Sequence, residues 1–273
     1  MGLKKKSFAG AWEGRFGTIE FEAVMEKRRD ISITVDWENG ESDVMSGAQI
    51  NEVIFNSNKP WMISANGTIF TTEFEGVIPG LLKRWYAERK EMQTMKKKAL
   101  AAENKAEIEF WDKRQLVKKI NLNSLYGAIL NPGCRFFDGR IGQSTTLTGR
   151  QIVKHMSAEV NKVITGEYNH VGKSVIYGDT DSVYFSAYPI LKEDIDKGNI
   201  PWTKESVIQL YEQVCDEANK SFGKFMLDTF HCPKSRSDVI AAGREVCGES
   251  GLFITKKRYA ILVYDDEGTR RDI

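Results

Sequence analysis

Apolar and polar residues alternate through "ISITVD", residues 31–36, and the alternation stops at "WENGES". A period of two sorts side chains onto the two faces of a strand, and Asn39-Gly40 supplies the backbone conformations of a tight hairpin turn. "WMISANGTIF", residues 61–70, repeats the arrangement around Asn66-Gly67. Residues 1–75 therefore read as β-rich. From Pro79 the period changes. The run "PGLLKRWYAERKEMQTMKKKALAAENKAEIEFWDKRQLVKKINLNSLYGAIL" consists of helix formers with no internal proline. Pro79 suits a first helical turn, and a break near Asn104 predicts two helices folded back on each other. Much of their surface is polar and basic, so this hairpin is expected to project from the body. Asn131-Pro132-Gly133 predicts a turn, followed by a helix from about Thr148 to Ile164. "KESVIQLYEQVCDEANKSFGKFML", residues 204–227, has helical periodicity, and "GLFITKKRYAILVYDDEGTRRDI" closes the chain with a strand pattern. The order is β, helical arm, then helices alternating with strands, an α+β organisation without internal repeats.

Composition narrows the class. Hydrophobic residues make up 41% and charged residues 28% of the 273, as in an ordinary soluble globular protein. No apolar run approaches the roughly 20 residues of a membrane span. "MGLKKKSFAG" has a basic start with no hydrophobic region behind it, so no signal peptide is expected, and Lys6 stands where a myristoylation signal needs Ser or Thr. The four cysteines form no C-x-x-C pair, and His231-Cys232 is the sole His–Cys neighbour. Free thiols in a reducing cytoplasm are expected rather than a zinc site. The net charge is only +1, but twelve Lys or Arg face six Asp or Glu between Lys83 and Lys119. A basic arm on a near-neutral protein predicts a phosphate-rich partner, with a solvated helix face as the plainer alternative.

Two short stretches carry candidate chemistry. In "VIYGDTDSVYFS", residues 175–186, β-prone runs flank a turn in which Asp179 and Asp181 stand one residue apart. In extended chain such side chains point the same way, and like charges that close cost stability unless something positive lies between them. Turn formation alone explains many isolated D-x-D pairs. Here the flanking strands read as buried and Gly178 permits close approach, which favours a pair of Mg²⁺ ions bound through carboxylate oxygens. In "KKINLNSLYG", Lys119, Asn123 and Gly127 fall at i, i+4 and i+8 on one helical face, with Tyr126 beside them. Lysine there can pair with a triphosphate, and Tyr-Gly offers a flat surface to a base pair. A basic amphipathic helix with a core tyrosine is the plainer alternative.

Together the two stretches resemble family B DNA polymerases. Residues 119–127 fit K-x-x-x-N-S-x-Y-G and "YGDTDS" matches the family signature letter for letter, in the family's order and about fifty residues apart. "INEVIFNSNKPWMISANGTIF", "GVIPGLLKRWYAERK", "TTLTGRQ" and "KKRYA…DDEGTR" resemble the T-even-type bacteriophage members. The resemblance spans roughly residues 49–273. It implies a polymerase palm, a mainly antiparallel sheet backed by helices, with an inserted two-helix fingers hairpin. Residues 1–78 would be the N-terminal part of the palm (1–48 the least assigned), 79–128 the fingers, and 129–273 the palm with the YGDTDS hairpin and the K-x-Y strand.

By position, the resemblance puts Arg89 and Lys119 on the triphosphate, Asn123 on the incoming nucleotide, and Tyr126 and Gly127 against the nascent base pair. Asp181 would be the stronger metal ligand, with Asp179 supporting it. Lys257 and Tyr259, the K-x-Y pair, would share a strand face on the primer–template duplex, and Arg244-Glu245 resembles a palm pair near the active site. Gln93 stands where some relatives carry a second basic residue on the first fingers helix. The implied cofactors are two Mg²⁺ ions, with Mn²⁺ as a substitute. The implied partners are primer–template DNA, deoxynucleoside triphosphates, and further segments or chains supplying exonuclease, upstream palm motif and thumb. No membrane is implied; the location would be cytoplasmic, the host cytoplasm for a virus. The family's upstream D-x-x-S-L-Y-P-S motif, which carries the other carboxylate, does not occur in the sequence. Asp36 at the end of "ISITVD" could replace that carboxylate, but flanking a hairpin turn is its simpler role. The expected function is the central portion of a DNA-directed DNA polymerase. A non-catalytic nucleic-acid-binding subunit or split-polymerase remnant is the alternative, and a nucleotide-cyclase-like enzyme is disfavoured by the basic arm and K-x-Y.

Overall fold

The computed structural model describes residues 2–3 and 18–270. The readings on Met1 and Lys6, and the last three residues of the closing strand pattern, lie outside the described residues. The first elements are β1 (Gly2–Leu3), α1 (Ile19–Met25), β2 (Ser32–Asp36), β3 (Ser42–Ser46), α2 (Gly47–Asn51) running into a π-helical turn (Glu52–Asn56), β4 (Trp61–Ile63) and β5 (Ile69–Thr71). Both Asn-Gly turns form. Asp36 pairs with Ser42 around Gly40, and Ile63 pairs with Ile69 around Gly67. Both glycines have positive φ, 87° and 81°, where a side chain would be strained.

The β-rich reading of this region missed α1, α2 and the π-helical turn. Thr18 caps α1 by accepting the Phe21 N–H, and Ser46 with Gln49 forms a capping box at α2. Helices this short show little periodicity, so their caps were the stronger signal. They also supply the core. Phe21, Ala23, Val24, Ile33, Val35, Ile50 and Ile54 pack with Ile63 and Ile69, and against Leu147, Met226 and Phe230 from later helices. Residues 18–56, most of them within the 1–48 stretch least assigned in sequence, therefore hold much of the principal hydrophobic cluster.

The arm is α3 (Val77–Ala101) and α4 (Lys105–Ile129), with Asn104 capping α4 through the Glu107 N–H. At 1.5 Å rise per residue each helix is about 37 Å long. The two pack chiefly on each other. Across the seam Lys96 pairs with Asp112 at 2.6 Å, Lys118 with Glu88, and Arg89 Nε donates to Gln115 Oε1 at 3.3 Å. Only Ala99 and Ile129 along these helices are buried, as expected of a projecting arm.

Next comes α5 (Gly139–Thr165), which starts nine residues before the position the pattern predicts. Asp138 caps it through the Arg140 N–H and pairs with the Arg140 guanidinium. Within the opening turns, "GRIGQSTT", Gly142 and Thr146 lie against the end of α4: Thr146 Oγ1 meets the Tyr126 hydroxyl, and a β-carbon on Gly142 would overlap the Leu130 side chain. The rest is β6 (Val175–Asp179), β7 (Ser182–Phe185), α6 (Tyr188–Asp196), α7 (Lys204–Phe230), α8 (Lys234–Ser237), β8 (Val246–Thr255), β9 (Arg258–Asp266) and β10 (Thr269–Arg270). The α+β organisation stands. Its described strands are all antiparallel but form four small sheets, β1-β2-β3, β4-β5, β6-β7 and β8-β9-β10, rather than one.

On α5, Asn161 is 1% exposed. Its Nδ2 donates to the Glu167 carbonyl, and its Oδ1 accepts from the Ser174 N–H and hydroxyl. This amide fixes the loop that delivers β6, and Gly172 leaves room for it, since a β-carbon there would overlap the amide. One turn and a half earlier His155 stacks flat on Phe225 of α7 at 4.0 Å, bonded to the Tyr168 hydroxyl and to Ser221 Oγ.

Asn161→Ala leaves buried partners unpaired and is expected to cost about 2–4 kcal/mol, read as a lower urea midpoint. Burial holds His155 below its ordinary pKa, with Glu159 opposing and Lys162 assisting; burial does the same to His170, aided by Lys154 and Arg150. The unfolded chain protonates both near their ordinary value of about 6.5, so stability is complete above that pH and falls as pH drops below it. Urea melts between pH 7 and 5.5 check this, and His155→Gln should flatten the slope.

Candidate active site at the aspartate hairpin

Strands β6 and β7 meet at a two-residue turn, Thr180-Asp181, with Asp179 paired to Ser182. The Asp181 N–H donates to the Asp179 carbonyl at 2.6 Å, and Thr180 between them has φ 48°. Left-handed backbone costs a β-branched residue about 1–2 kcal/mol. The expectation that the two aspartates project from one extended face is therefore corrected: Asp179 ends β6 and Asp181 lies in the turn. Asp181 is exposed, whereas the Asp179 side chain is only 23% exposed. The flanking strands were expected to be buried. Instead they form a half-buried two-stranded ribbon lying against α5.

The positive group beside the carboxylates is Lys257. It sits in the β8–β9 turn at φ 62°, not on the strand face expected for it. Its N–H donates to the Tyr177 hydroxyl at 2.9 Å, and its Nζ lies 4.0 Å from Asp179 Oδ2. Tyr259, at the start of β9, joins its hydroxyl to that of Tyr184 at 2.7 Å. Tyr177, Tyr184, Phe253 and Tyr259 form one ring cluster with centroids 5.1–6.0 Å apart. Burial, the Tyr259 hydroxyl and the charge of Glu245 hold the Tyr184 hydroxyl above its ordinary range, so it stays protonated. The sequence reading missed Tyr177, Tyr184 and Phe253. For Tyr177 a signal existed, since it precedes Asp179 by two on a strand and shares its face.

Arg244 is enclosed and tied at 2.6 Å to buried Asp265, and at 3.4 Å to Glu212 of α7. It anchors the approach to β8. Glu245 beside it is exposed.

On the arm, adjacent lysines divide their roles. Lys118 faces the seam and pairs with Glu88, whereas Lys119 is exposed and has no ion-pair partner among the described residues. Asn123 is exposed one turn further on, and space is open around Gly127. The Tyr126 hydroxyl meets Thr146 Oγ1 of α5 at 2.6 Å. Arg89 bonds Gln115, one turn before Lys119, so both cations flank one region of the arm; Gln93 is half-buried. Among the described residues no hydrogen bond or ion pair joins this set to the aspartate hairpin. Helix α5 carries both, with Thr146 and Asn161 about 22 Å apart along its axis.

Among the described residues no cluster of three or more His, Cys, Asp or Glu is placed to hold a metal. Two carboxylates nevertheless suit Mg²⁺, which keeps water ligands and completes its shell with substrate phosphates. Asp36 is bonded by Ser42 within the β2–β3 hairpin, as its simpler role requires. The four cysteines are free, and burial raises the thiol pKa of Cys215, Cys232 and Cys247. No helix among the described residues is long and apolar enough to cross a membrane.

The profile described as DNA polymerase family B matches residues 26–200. It begins upstream of residue 49, where the motif resemblance fades, and stops short of Lys257 and Tyr259. The chain is 28% identical over 171 residues to the DNA-directed DNA polymerase of Escherichia phage RB69, covering 57% of this chain and 18% of that protein. It is 27% identical over 173 residues to the enzyme of Enterobacteria phage T4, with the same coverage of 57% and 18%. It is 26% identical over 224 residues to the DNA polymerase alpha catalytic subunit of Arabidopsis thaliana, covering 76% of this chain and 12% of that protein. The chain thus spans less than a fifth of the length of these relatives.

The division between the two lysines is open to test by thermal melts. Lys118→Ala should destabilise the arm by about 0.5–1 kcal/mol, while Lys119→Ala should stay within about 0.5 kcal/mol of the parent.

Proposed function

This chain belongs to DNA polymerase family B, and from that premise we propose that it is the palm-and-fingers portion of a DNA-directed DNA polymerase, joining deoxynucleotides to a primer 3′ hydroxyl. The observation that carries the reading is the aspartate hairpin, with Asp179 and Asp181 at a strained turn and Lys257 held against it. In this reading α3 and α4 are the fingers and the remaining elements belong to the palm.

Asp181 and Asp179 are the residues that would hold Mg²⁺, or Mn²⁺ in its place, together with substrate phosphates and a carboxylate from a further segment. When bound, such ions lower the pKa of the attacking hydroxyl and neutralise charge on the phosphates. The chain's own groups do the rest. Lys119 and Arg89 neutralise the departing pyrophosphate, and Asn123 orients the nucleotide. Tyr126 and Gly127 form a flat wall against the new base pair, and Lys257 and Tyr259 meet the primer–template duplex. Lys119 is exposed and without an ion-pair partner among the described residues, which supports this, because a phosphate can reach it without breaking a described pair. Open space at Gly127 supports it too: mid-helix glycine costs about 1 kcal/mol relative to alanine, and no neighbour among the described residues requires it. Exonuclease, thumb and the missing carboxylate motif would come from other segments or chains.

The test is templated nucleotide capture. In Ca²⁺ or Mg²⁺ the chain should bind primer–template DNA about tenfold more tightly when the nucleotide complementary to the templating base is added. Lys119→Ala and Asp181→Ala should lose that increment. DNA binding with no response to any nucleotide would turn the reading toward a non-catalytic nucleic-acid-binding subunit. Gly127→Ala should raise the melting temperature, worth about 0.5–1 kcal/mol, and weaken nucleotide capture in the same protein.

A further inference from the structure

Lys257 is in ion-pair range of the carboxylate proposed above as a metal ligand, and it lies on the turn proposed to meet DNA. We propose that Lys257 couples the two ligands: its ammonium rests against Asp179 until a DNA phosphate draws it away, so bound DNA raises the affinity of the carboxylate hairpin for a divalent cation, and the cation raises the affinity for DNA. This rests on the polymerase reading and adds regulation to that site.

Three observations carry it. The turn is placed by the fold, since the Tyr177 hydroxyl holds the Lys257 N–H and the Tyr184–Tyr259 bond and the ring cluster lock the two ribbons together. The partners are unequal: Asp179 is 23% exposed and fixed at the end of β6, while Lys257 is 67% exposed on a flexible stem, so the cation is the member free to leave. Finally, Lys257 is flanked by exposed Lys256 and Arg258, which makes the ribbon tip a three-residue basic run suited to a phosphate backbone. A pair this exposed shifts an equilibrium only about two- to fivefold, enough to bias binding and weak enough to be displaced. Linkage requires the coupling to be reciprocal.

The experiment measures Mn²⁺ binding to the chain by electron paramagnetic resonance, with and without primer–template DNA, after subtracting ions bound to DNA alone. Without DNA, Lys257→Met should tighten Mn²⁺ about two- to fivefold. Lys256→Met, which removes the same charge one residue away, should shift it by less than half as much. Tyr177→Phe, which keeps charge and ring but frees the turn, should move it in the same direction. In the parent, DNA should tighten Mn²⁺ binding, and Lys257→Met should lose most of that gain. Equal effects of the two lysine variants, or none from Lys257→Met while Asp179→Asn still abolishes binding, would overturn the coupling alone. Mn²⁺ binding indifferent to Asp179→Asn would remove the metal reading and the coupling with it.

Discussion

A single buried amide decides where the carboxylates stand. Asn161 spends its donor on the Glu167 carbonyl and its acceptor on Ser174, which sets where the chain leaves α5 and where β6 begins. A two-stranded ribbon is marginally stable by itself, so β6 and β7 depend on that anchor and on their packing against α5. The same helix receives Tyr126 from the arm at Thr146, and the adjacent Leu147 enters the main core. The parts of the site proposed for the nucleotide and for the metal are thus referenced to one rigid rod rather than to each other.

The electrostatics sort in a similar way. The arm carries twelve basic residues between Lys83 and Lys119, but Lys96 and Lys118 are spent on the seam. What remains outward-facing is a smaller set that includes Lys119, so a seam charge and a solvent-facing charge stand one residue apart on the arm. At the aspartate hairpin the arrangement is sparser still, with one loosely held ammonium beside Asp179.

Much of this was legible from local chemistry. Asn39-Gly40, Asn66-Gly67 and Asn104 each announce a turn or a cap whose physics involves only a few neighbouring residues, and each stands as read. The start of α5 was not legible, because the small residues of "GRIGQSTT" look like loop until Leu130 is seen lying over Gly142. Nor was the clasp on the hairpin, since Tyr177 and Lys257 are separated by 80 residues and no periodicity encodes that meeting. The motif residues were identifiable by resemblance, but it could not tell which of them were already occupied: Arg244 turned out to be bonded to Asp265, Lys119 to stand free of ion pairs among the described residues.

The junction between α4 and α5 has a mechanical consequence. Leu130 seated over Gly142 gives the arm a fulcrum at its base, and each arm helix is about 37 Å long with few attachments beyond the partner helix. A rigid lever of that length multiplies small rotations, so a tilt of about ten degrees at Leu130 carries the Asn104 end through about 6 Å. The leverage also runs the other way. A modest force on the outer end of the arm delivers a large torque to the start of α5, the rod from which the aspartate hairpin hangs.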